Sequence, residues 1–160
     1  FSTVFAGYLQ ERNMPVIIHS NEPVGHYYPG KTTTTPVKLN AFVESNPDLT
    51  VIFAHWGGGL FLYELMPKLI PTLRNVYYDT AASLFVYRDR IFHAAAQIAP
   101  NKLLFGTDYP LISHRKFLRR VKAIGLPTML ERDLLGENAR RVLFDYPGSG
   151  RAGQDGHTFG

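Results

Sequence analysis

The sequence contains no cysteine, so the chain forms no disulfide bond and holds no metal through thiolates. No apolar run approaches the roughly 20 residues that cross a bilayer. A GxGxxG motif and a P-loop are both absent. These absences argue against a membrane-spanning helix and against the nucleotide-binding α/β enzymes. The lack of cysteine also favours a cytoplasmic location.

Charge is scarce as well. Charged residues make up 19% and hydrophobic residues 45% of the 160 residues, which is typical of a globular domain. The net charge is +4, and many of the basic residues lie in residues 114–122 and 137–143. They alternate with apolar residues and no aromatic platform accompanies them, which favours solvated helix faces over a nucleic-acid surface. We therefore expect neither a nucleic-acid partner nor a membrane partner.

Short apolar runs rich in β-branched residues alternate with helix-like segments. The runs cover residues 14–20, 50–55, 75–80 and 102–107, and the predicted helices cover roughly 36–44, 61–69, 87–98, 115–123 and 131–143. Strands that are apolar on both faces and separated by helices predict a parallel sheet covered by helices. The predicted fold class is α/β, either an open doubly wound sheet or half of a (β/α)8 barrel.

The two ends of the chain differ in character. Apolar residues recur at helical spacing from the first position, as Phe1, Val4, Phe5, Tyr8 and Leu9. A helix already under way at residue 1 suggests a piece of a larger protein. The last residues are polar and rich in glycine. We predict one partial barrel domain over residues 1–146 and a disordered tail over residues 147–160.

Each predicted strand ends in a group that can bind a metal or move a proton. These groups are His19, His55, Asp79 and Asp108. Taken singly, such a histidine is more often structural and such an aspartate is often a helix cap. Because the carboxyl ends of parallel strands meet at one edge, the four together favour a site. Imidazole and carboxylate suit Zn²⁺, Mn²⁺ or Fe²⁺, and a divalent cation would compensate the charge of Asp108 after a buried strand.

The segments PVIIHS, AHWGGG and LLFGTDYP occur in this order and are followed by ENARRVL. Together they resemble the C-terminal half of the amidohydrolase superfamily, in its amidohydrolase-2 branch. That branch includes metal-dependent hydrolases and the decarboxylases related to aminocarboxymuconate semialdehyde decarboxylase. The resemblance extends to about Tyr146 and implies the C-terminal half of a (β/α)8 TIM barrel, with four parallel strands alternating with helices. It also implies one divalent metal ion, most often zinc, with manganese or iron as alternatives.

The resemblance assigns roles to three of the strand-end residues. His19 and Asp108 are implied as metal ligands, and Asp108 also handles the proton. His55 is implied as the histidine that contacts the metal-bound water or the substrate. The family's first strand carries a His-x-His pair, which this chain lacks. Two ligands do not make a stable zinc site, so the chain is a fragment, is completed by another chain, or has lost the metal.

Further residues near the strand ends are candidates for contact with substrate. They are His26, Trp56 and Tyr109, with Trp56 equally open to a packing role. The loop after the first strand also carries Glu22, Tyr28 and Lys31, for which a solvated loop is the commoner outcome. The run Gly57, Gly58 and Gly59 either receives an anionic oxygen or lets the backbone pass close to the site.

The predicted activity is metal-assisted hydrolysis of a small carbonyl compound, with a carboxylate substrate also open. Asp108 would take the proton of the attacking water, and His55 would stabilise charge on the oxygen. The first alternative is non-oxidative decarboxylation of an aromatic or unsaturated acid. A pair of arginines would favour it, and Arg88 and Arg90 follow the third strand. A second alternative is a non-catalytic half-barrel, and its partner is either a second copy or a missing N-terminal half.

Overall fold

Four parallel strands form the centre of the structure. The computed structural model describes residues 3–24 and 27–144, so the predicted tail at 147–160 lies outside the described residues. The strands are β1 (Val16–Ile18), β2 (Val51–Phe53), β3 (Val76–Asp79) and β4 (Leu103–Leu104). They pair in the order β1-β2-β3-β4, each parallel to its neighbour. The predicted α/β fold with four parallel strands is confirmed.

Helices separate the strands, as the apolar pattern predicts. They are α1 (Thr3–Glu11), α2 (Pro36–Ser45), α3 (Ser83–Val86), α4 (Arg90–Ile98), α5 (His114–Ile124), α6 (Thr128–Arg132) and α7 (Asn138–Leu143). Two 3-10 segments, His55–Leu65 and Pro100–Lys102, and a π-helical turn, Asp133–Glu137, complete the elements. Local signals set both ends of α5: Ser113 caps it by accepting from the Lys116 amide at 3.4 Å, and Gly125 ends it with a φ of +74°.

The sheet buries side chains on both faces. On one face, Val51, Phe53, Val76 and Tyr78 pack into the main core with the helices. On the other face, Ile52 and Leu104 pack against Val142 of α7. Because side chains alternate along a strand, the two faces are distinct layers, and the second layer is the one that lies inside a closed barrel. Ile17 on β1 is level with Ile52 but 67% exposed, so this layer is covered only in part.

Asn138 fixes α7 beneath the sheet. Its side-chain nitrogen donates to the carbonyl oxygens of Pro100 and Leu103, both at 2.8 Å, and the residue is fully buried. The two bonds give the buried amide nitrogen of Asn138 the acceptors that burial requires. The asparagine of the ENARRVL segment therefore anchors the helix that covers the inner layer.

Four predicted elements differ from the observed ones. The strand predicted at 102–107 is only Leu103–Leu104, and the helix predicted at 131–143 is divided into α6, the π-helical turn and α7. The helix predicted at 61–69 is replaced by the 3-10 segment, in which φ is positive from residue 55 to residue 59. In α1, Ala6 and Leu9 are buried while Val4 is 82% exposed, so the predicted apolar face is only partly packed.

Among residues 3–24 and 27–144, no helix combines the length and the apolar character needed to cross a membrane.

Candidate active site

The carboxyl end of the sheet opens into a cavity of about 1170 Å³. His19 follows β1 directly, His55 lies two residues after β2, and Asp108 lies four residues after β4. All three line this cavity. The structure therefore brings together three of the strand-end groups that the sequence predicts, on the edge where parallel α/β folds place their ligands.

The two histidines are close neighbours. Their ring centroids are 5.0 Å apart and the ring planes meet at 74°. His19 is bonded through Nε2 to Asn21 Oδ1 at 2.9 Å, and His55 through Nδ1 to the Ala81 carbonyl oxygen at 3.1 Å. Each ring thus uses one nitrogen in a fixed hydrogen bond and keeps the other for the cavity chemistry.

Asp79 holds the main chain on the floor of the site. Its Oδ1 accepts the backbone N–H groups of His55 and Ala81, both at 2.9 Å. Burial raises the pKa of Asp79 above its ordinary value, the two N–H donors and His55 lower it, and the charge of Asp108 raises it. Asp79 is not one of the cavity-lining residues. This arrangement suits a structural hydrogen bond to the segment that carries His55.

Asp108 is exposed to solvent rather than placed at the end of a buried strand. The sequence predicts a charge at the end of a buried strand, but β4 ends at Leu104 and the Asp108 side chain is exposed. Its φ is +61°, a conformation in which aspartate is one of the more tolerated residues. Solvent reaches the carboxylate, so its charge needs no metal to offset burial. The prediction that a metal compensates a buried charge at Asp108 is therefore wrong. The assignment of Asp108 as a metal ligand stays a proposal.

The predicted substrate contacts are distributed differently. Trp56 has no exposed surface: its ring packs on Phe92 with centroids 5.1 Å apart, and its Nε1 donates to Ser83 Oγ at 2.7 Å. Trp56 is a core residue, so the prediction that it contacts substrate is wrong. Tyr109 is 67% exposed and stacks on His114 at 5.1 Å, outside the cavity lining. His26 lies outside the described residues.

The run from Gly57 to Gly59 lets two backbone segments approach closely, which is one of the two roles that the sequence predicts for it. A Cβ on Gly58 would lie 2.4 Å from the Asn21 carbonyl oxygen, and one on Gly57 would lie 3.1 Å from the Tyr78 ring. At both positions φ is positive, at +59° and +64°. Gly58 therefore lets the turn after β2 pack directly on the segment after β1, beside His19.

The loop after β1 forms one wall of the cavity. Glu22 and Tyr28 line it, and Lys31 joins them by donating to Glu22 Oε1 at 2.9 Å. Burial, followed by the charge of Glu22, raises the pKa of Tyr28. Burial also raises the pKa of Tyr87, which lies on the cavity wall after β3. The sequence pattern gives no sign of Tyr87, because it is separated from β3 by the short helix α3.

Two arginines also line the cavity. Arg88 and Arg90 both follow β3, and both side chains are exposed. Between them Asp89 bonds instead to Arg120, whose Nε lies 3.2 Å from Asp89 Oδ1. The lining of the same cavity also includes the apolar residues Phe61, Val86 and Ile91. The cavity therefore offers positive charge beside an apolar surface.

The described residues fit part of a metal site. The donor types are suitable, since imidazole and carboxylate oxygen both bind Zn²⁺ and Mn²⁺. The number is too small, because no group of three His, Cys, Asp or Glu side chains close enough to hold an ion occurs in the part of the chain that the structure describes. A complete site would need donors beyond His19, His55 and Asp108.

The family model of the amidohydrolase-2 family, described as amidohydrolase, matches residues 4–144. The chain belongs to this family, as the motifs predict. No match was found among curated proteins.

Solved structures share the fold at low sequence identity. A dihydroxybenzoic acid decarboxylase from Polaromonas sp., with bound manganese and the inhibitor 2-nitroresorcinol, is 16% identical with a TM-score of 0.65, and the match covers 87% of this chain and 52% of that one. A TIM-barrel protein from Bordetella bronchiseptica is 21% identical with a TM-score of 0.65, covering 88% and 49%. An amidohydrolase from Burkholderia multivorans with bound zinc is 16% identical with a TM-score of 0.56, covering 88% and 57%. The chain thus spans about half the length of the structures it matches, and the predicted half of a TIM barrel is confirmed.

Proposed function

We propose that this chain supplies one half of an amidohydrolase-2 active site that decarboxylates a small aromatic or unsaturated carboxylic acid. The observation that carries the proposal is that one cavity is lined by Arg88 and Arg90 together with His55 and Asp108. A pair of arginines favours a carboxylate substrate, since guanidinium groups bind carboxylates through charge-assisted hydrogen bonds. One of the structures with the same fold is itself a decarboxylase of an aromatic acid.

In this proposal the apolar wall of the cavity holds the unsaturated body of the substrate and the arginines orient its carboxylate. The carbon–carbon bond to the carboxylate breaks, carbon dioxide leaves, and the electron pair stays on the substrate carbon. Asp108 gives that carbon a proton that it has taken from solvent, while His55, after taking up a proton at Nε2, stabilises negative charge on a neighbouring substrate oxygen. His19 and Asp108 would be two of the metal's ligands, the remaining donors lying outside the described residues. When bound, a divalent metal supplies positive charge beside the substrate oxygens.

Hydrolysis is the second candidate, favoured by the exposure of Asp108 to solvent. An exposed carboxylate can take a proton from an attacking water and pass it to the leaving group. The same cavity would then accept an amide, ester or lactone, and an amidohydrolase with zinc is among the structures of this fold. The two candidates differ in what Arg88 and Arg90 do: decarboxylation needs them for every substrate, whereas hydrolysis of a neutral substrate does not.

The test uses the protein that carries this chain, with manganese or zinc added, and measures carbon dioxide release from aromatic acids and hydrolysis of neutral esters. Arg88→Met and Arg90→Met should each raise KM for the acid by roughly 10-fold to 100-fold, the scale of a hydrogen bond to a charged group. Arg115→Met is the matched control, because Arg115 is exposed on α5 outside the cavity lining. Ester hydrolysis that is unchanged in both cavity variants, without carbon dioxide release from any acid, would favour hydrolysis instead.

A second pair of variants tests the proton chemistry. His55→Asn should lower kcat by about 10²-fold with metal content retained, the usual scale for loss of an acid–base group. His93→Asn is the control, since His93 is exposed on α4 and outside the cavity lining. His19→Ala should reduce bound metal by elemental analysis, because alanine supplies no ligand atom. Full metal content in the His19→Ala protein would refute the ligand assignment.

A further inference from the structure

One ring nitrogen of each cavity histidine is hydrogen-bonded to a neighbouring group. The partner of His55 is a main-chain carbonyl, Ala81 O, which can only accept. The partner of His19 is the side-chain amide of Asn21, whose oxygen accepts and whose nitrogen donates. The orientation of that amide therefore decides which proton His19 carries.

Three neighbouring contacts fix the orientation of the Asn21 amide. Its nitrogen lies 2.7 Å from the Thr32 carbonyl oxygen, which can only accept. Its oxygen lies 3.2 Å from the Thr32 backbone nitrogen, which can only donate, and 3.0 Å from the Thr32 hydroxyl. A flipped amide would set donor against donor and acceptor against acceptor. Asn21 Oδ1 is thus an acceptor, and His19 Nε2 must be the donor.

We infer that Asn21 is a positioning residue that holds neutral His19 in the Nε2–H form, while the Ala81 carbonyl holds neutral His55 in the opposite, Nδ1–H form. Nδ1 of His19 and Nε2 of His55 are then the two ring nitrogens that keep a lone pair. Only these two atoms can accept a proton or bind a metal. The choice of atom follows from the hydrogen bond at the other nitrogen of each ring.

The fold fixes Asn21 firmly enough for this role. The residue is 1% exposed, and its backbone N–H donates to the Thr34 carbonyl oxygen at 3.1 Å. Its carbonyl packs against Gly58, where a side chain would lie 2.4 Å away. The adjacent Ser20 hydroxyl donates to the Ala54 carbonyl, which ties the segment carrying His19 to the one carrying His55. The amide therefore has no room to rotate without loss of several bonds.

The use of these tautomers in catalysis rests on the proposed function, but their presence does not, because NMR detects them without turnover. The measurement is the ¹⁵N spectrum of the histidine rings in metal-free protein, at a pH where the histidines are neutral. Signals are assigned with His19→Gln and His55→Gln variants. We expect a single Nε2–H form at His19 and a single Nδ1–H form at His55. The His55 signal is the sharper test, because free imidazole side chains favour Nε2–H.

Variants of Asn21 separate positioning from simple packing. Asn21→Asp keeps an acceptor facing His19 Nε2, although it loses the bond that the Asn21 nitrogen donates to the Thr32 carbonyl oxygen, and it should keep neutral His19 in the Nε2–H form. Asn21→Leu removes the acceptor and should lower the ratio of Nε2–H to Nδ1–H at His19 by about fivefold, the scale of one net hydrogen bond. The ratio at exposed His93 is the internal reference, and the tautomer of His55 should not change. If Asn21→Leu does not fold, the wild-type spectrum and the Asn21→Asp protein still decide.

Four results would overturn the inference. Two come from the wild-type spectrum, namely Nδ1–H at His19 or Nε2–H at His55. The other two are loss of the His19 bias in the Asn21→Asp protein and an unchanged ratio in a folded Asn21→Leu protein. The predicted tautomers in a protein that decarboxylates and hydrolyses none of the substrates would support the inference while refuting the proposed function.

Discussion

Asp79 offers the sharpest test of how the candidate site is held together. One carboxylate oxygen, Oδ1, accepts the backbone N–H groups of both His55 and Ala81 at 2.9 Å. The Ala81 carbonyl in turn accepts from His55 Nδ1. Replacing Asp79 by alanine removes both acceptor bonds, whereas asparagine keeps a carbonyl oxygen at the same distance from the main chain.

The expected cost follows from the two N–H groups. A buried donor left without a partner costs about 1–3 kcal/mol, and two such groups near a cavity that water reaches should cost roughly 2–4 kcal/mol in the Asp79→Ala protein. Asp79→Asn should lose much less, because its amide oxygen still accepts both N–H groups. The asparagine also removes a charge whose burial is unfavourable.

The stability difference between the wild-type and Asp79→Asn proteins should depend on pH. Burial is the largest cause that raises the pKa of Asp79 above its ordinary value of 3.8. A carboxyl group with a raised pKa in the folded state contributes stability that is full below the unfolded pKa and is lost as pH rises through the folded pKa. Asparagine does not ionise, so the Asp79→Asn protein should gain stability relative to wild type as pH rises from below 3.8 towards neutrality.

The assay is urea unfolding of the wild-type, Asp79→Asn and Asp79→Ala proteins at a series of pH values. Asp48→Asn is the control, since Asp48 is an exposed carboxylate with a 77% exposed side chain. A loss in the Asp79→Asn protein as large as in Asp79→Ala at neutral pH would refute the account. So would a difference between wild type and Asp79→Asn that does not change with pH.

Two further variants test the packing beneath the cavity. Gly58→Ala should destabilise the fold by more than about 2 kcal/mol in thermal unfolding, because its Cβ meets the Asn21 backbone. The control Gly125→Ala has a φ of +74° and no neighbour within 4 Å, so it should cost only the strain of its backbone, and equal losses would contradict the packing argument. Trp56→Phe should lower stability by about 1–3 kcal/mol through the lost Ser83 bond and lost volume. Its KM should stay unchanged because Trp56 has no exposed surface, and a large rise in KM would restore it as a substrate contact.

Much of the fold can be predicted from the sequence because its strands are buried on both faces. Val51, Ile52 and Phe53 are all buried, which gives the continuous apolar run that a covered parallel strand requires. The strand-end positions of His19 and His55 follow from the same runs. Element lengths are less predictable: the apolar residues of Leu103–Leu104 continue into Phe105, yet pairing stops, and no local signal marks that end.

The residues that organise the site are harder to find in the sequence. The turn from residue 55 to residue 59 has positive φ throughout, including His55 and Trp56, and its conformation depends on contact with the segment after β1. Asn21 follows His19 by two residues but carries no motif that marks it as a partner. Trp56, which the sequence offers as a candidate substrate contact, lies in the core, whereas Tyr87, which no sequence pattern marks, lies on the cavity wall. Tertiary packing rather than local pattern decides which of them is buried.

The four strand-end groups therefore differ in what they leave available for chemistry. Asp79 uses Oδ1 to hold two backbone N–H groups, so its equivalence with Asp108 in the sequence does not extend to its role. His19 and His55 each use one nitrogen to fix the ring and keep one free in the neutral state. Asp108 is exposed and lines the cavity, which is why the proposed function assigns the acid role to it. Main-chain hydrogen bonds, more than residue type, separate the groups that build the site from those that can act in it.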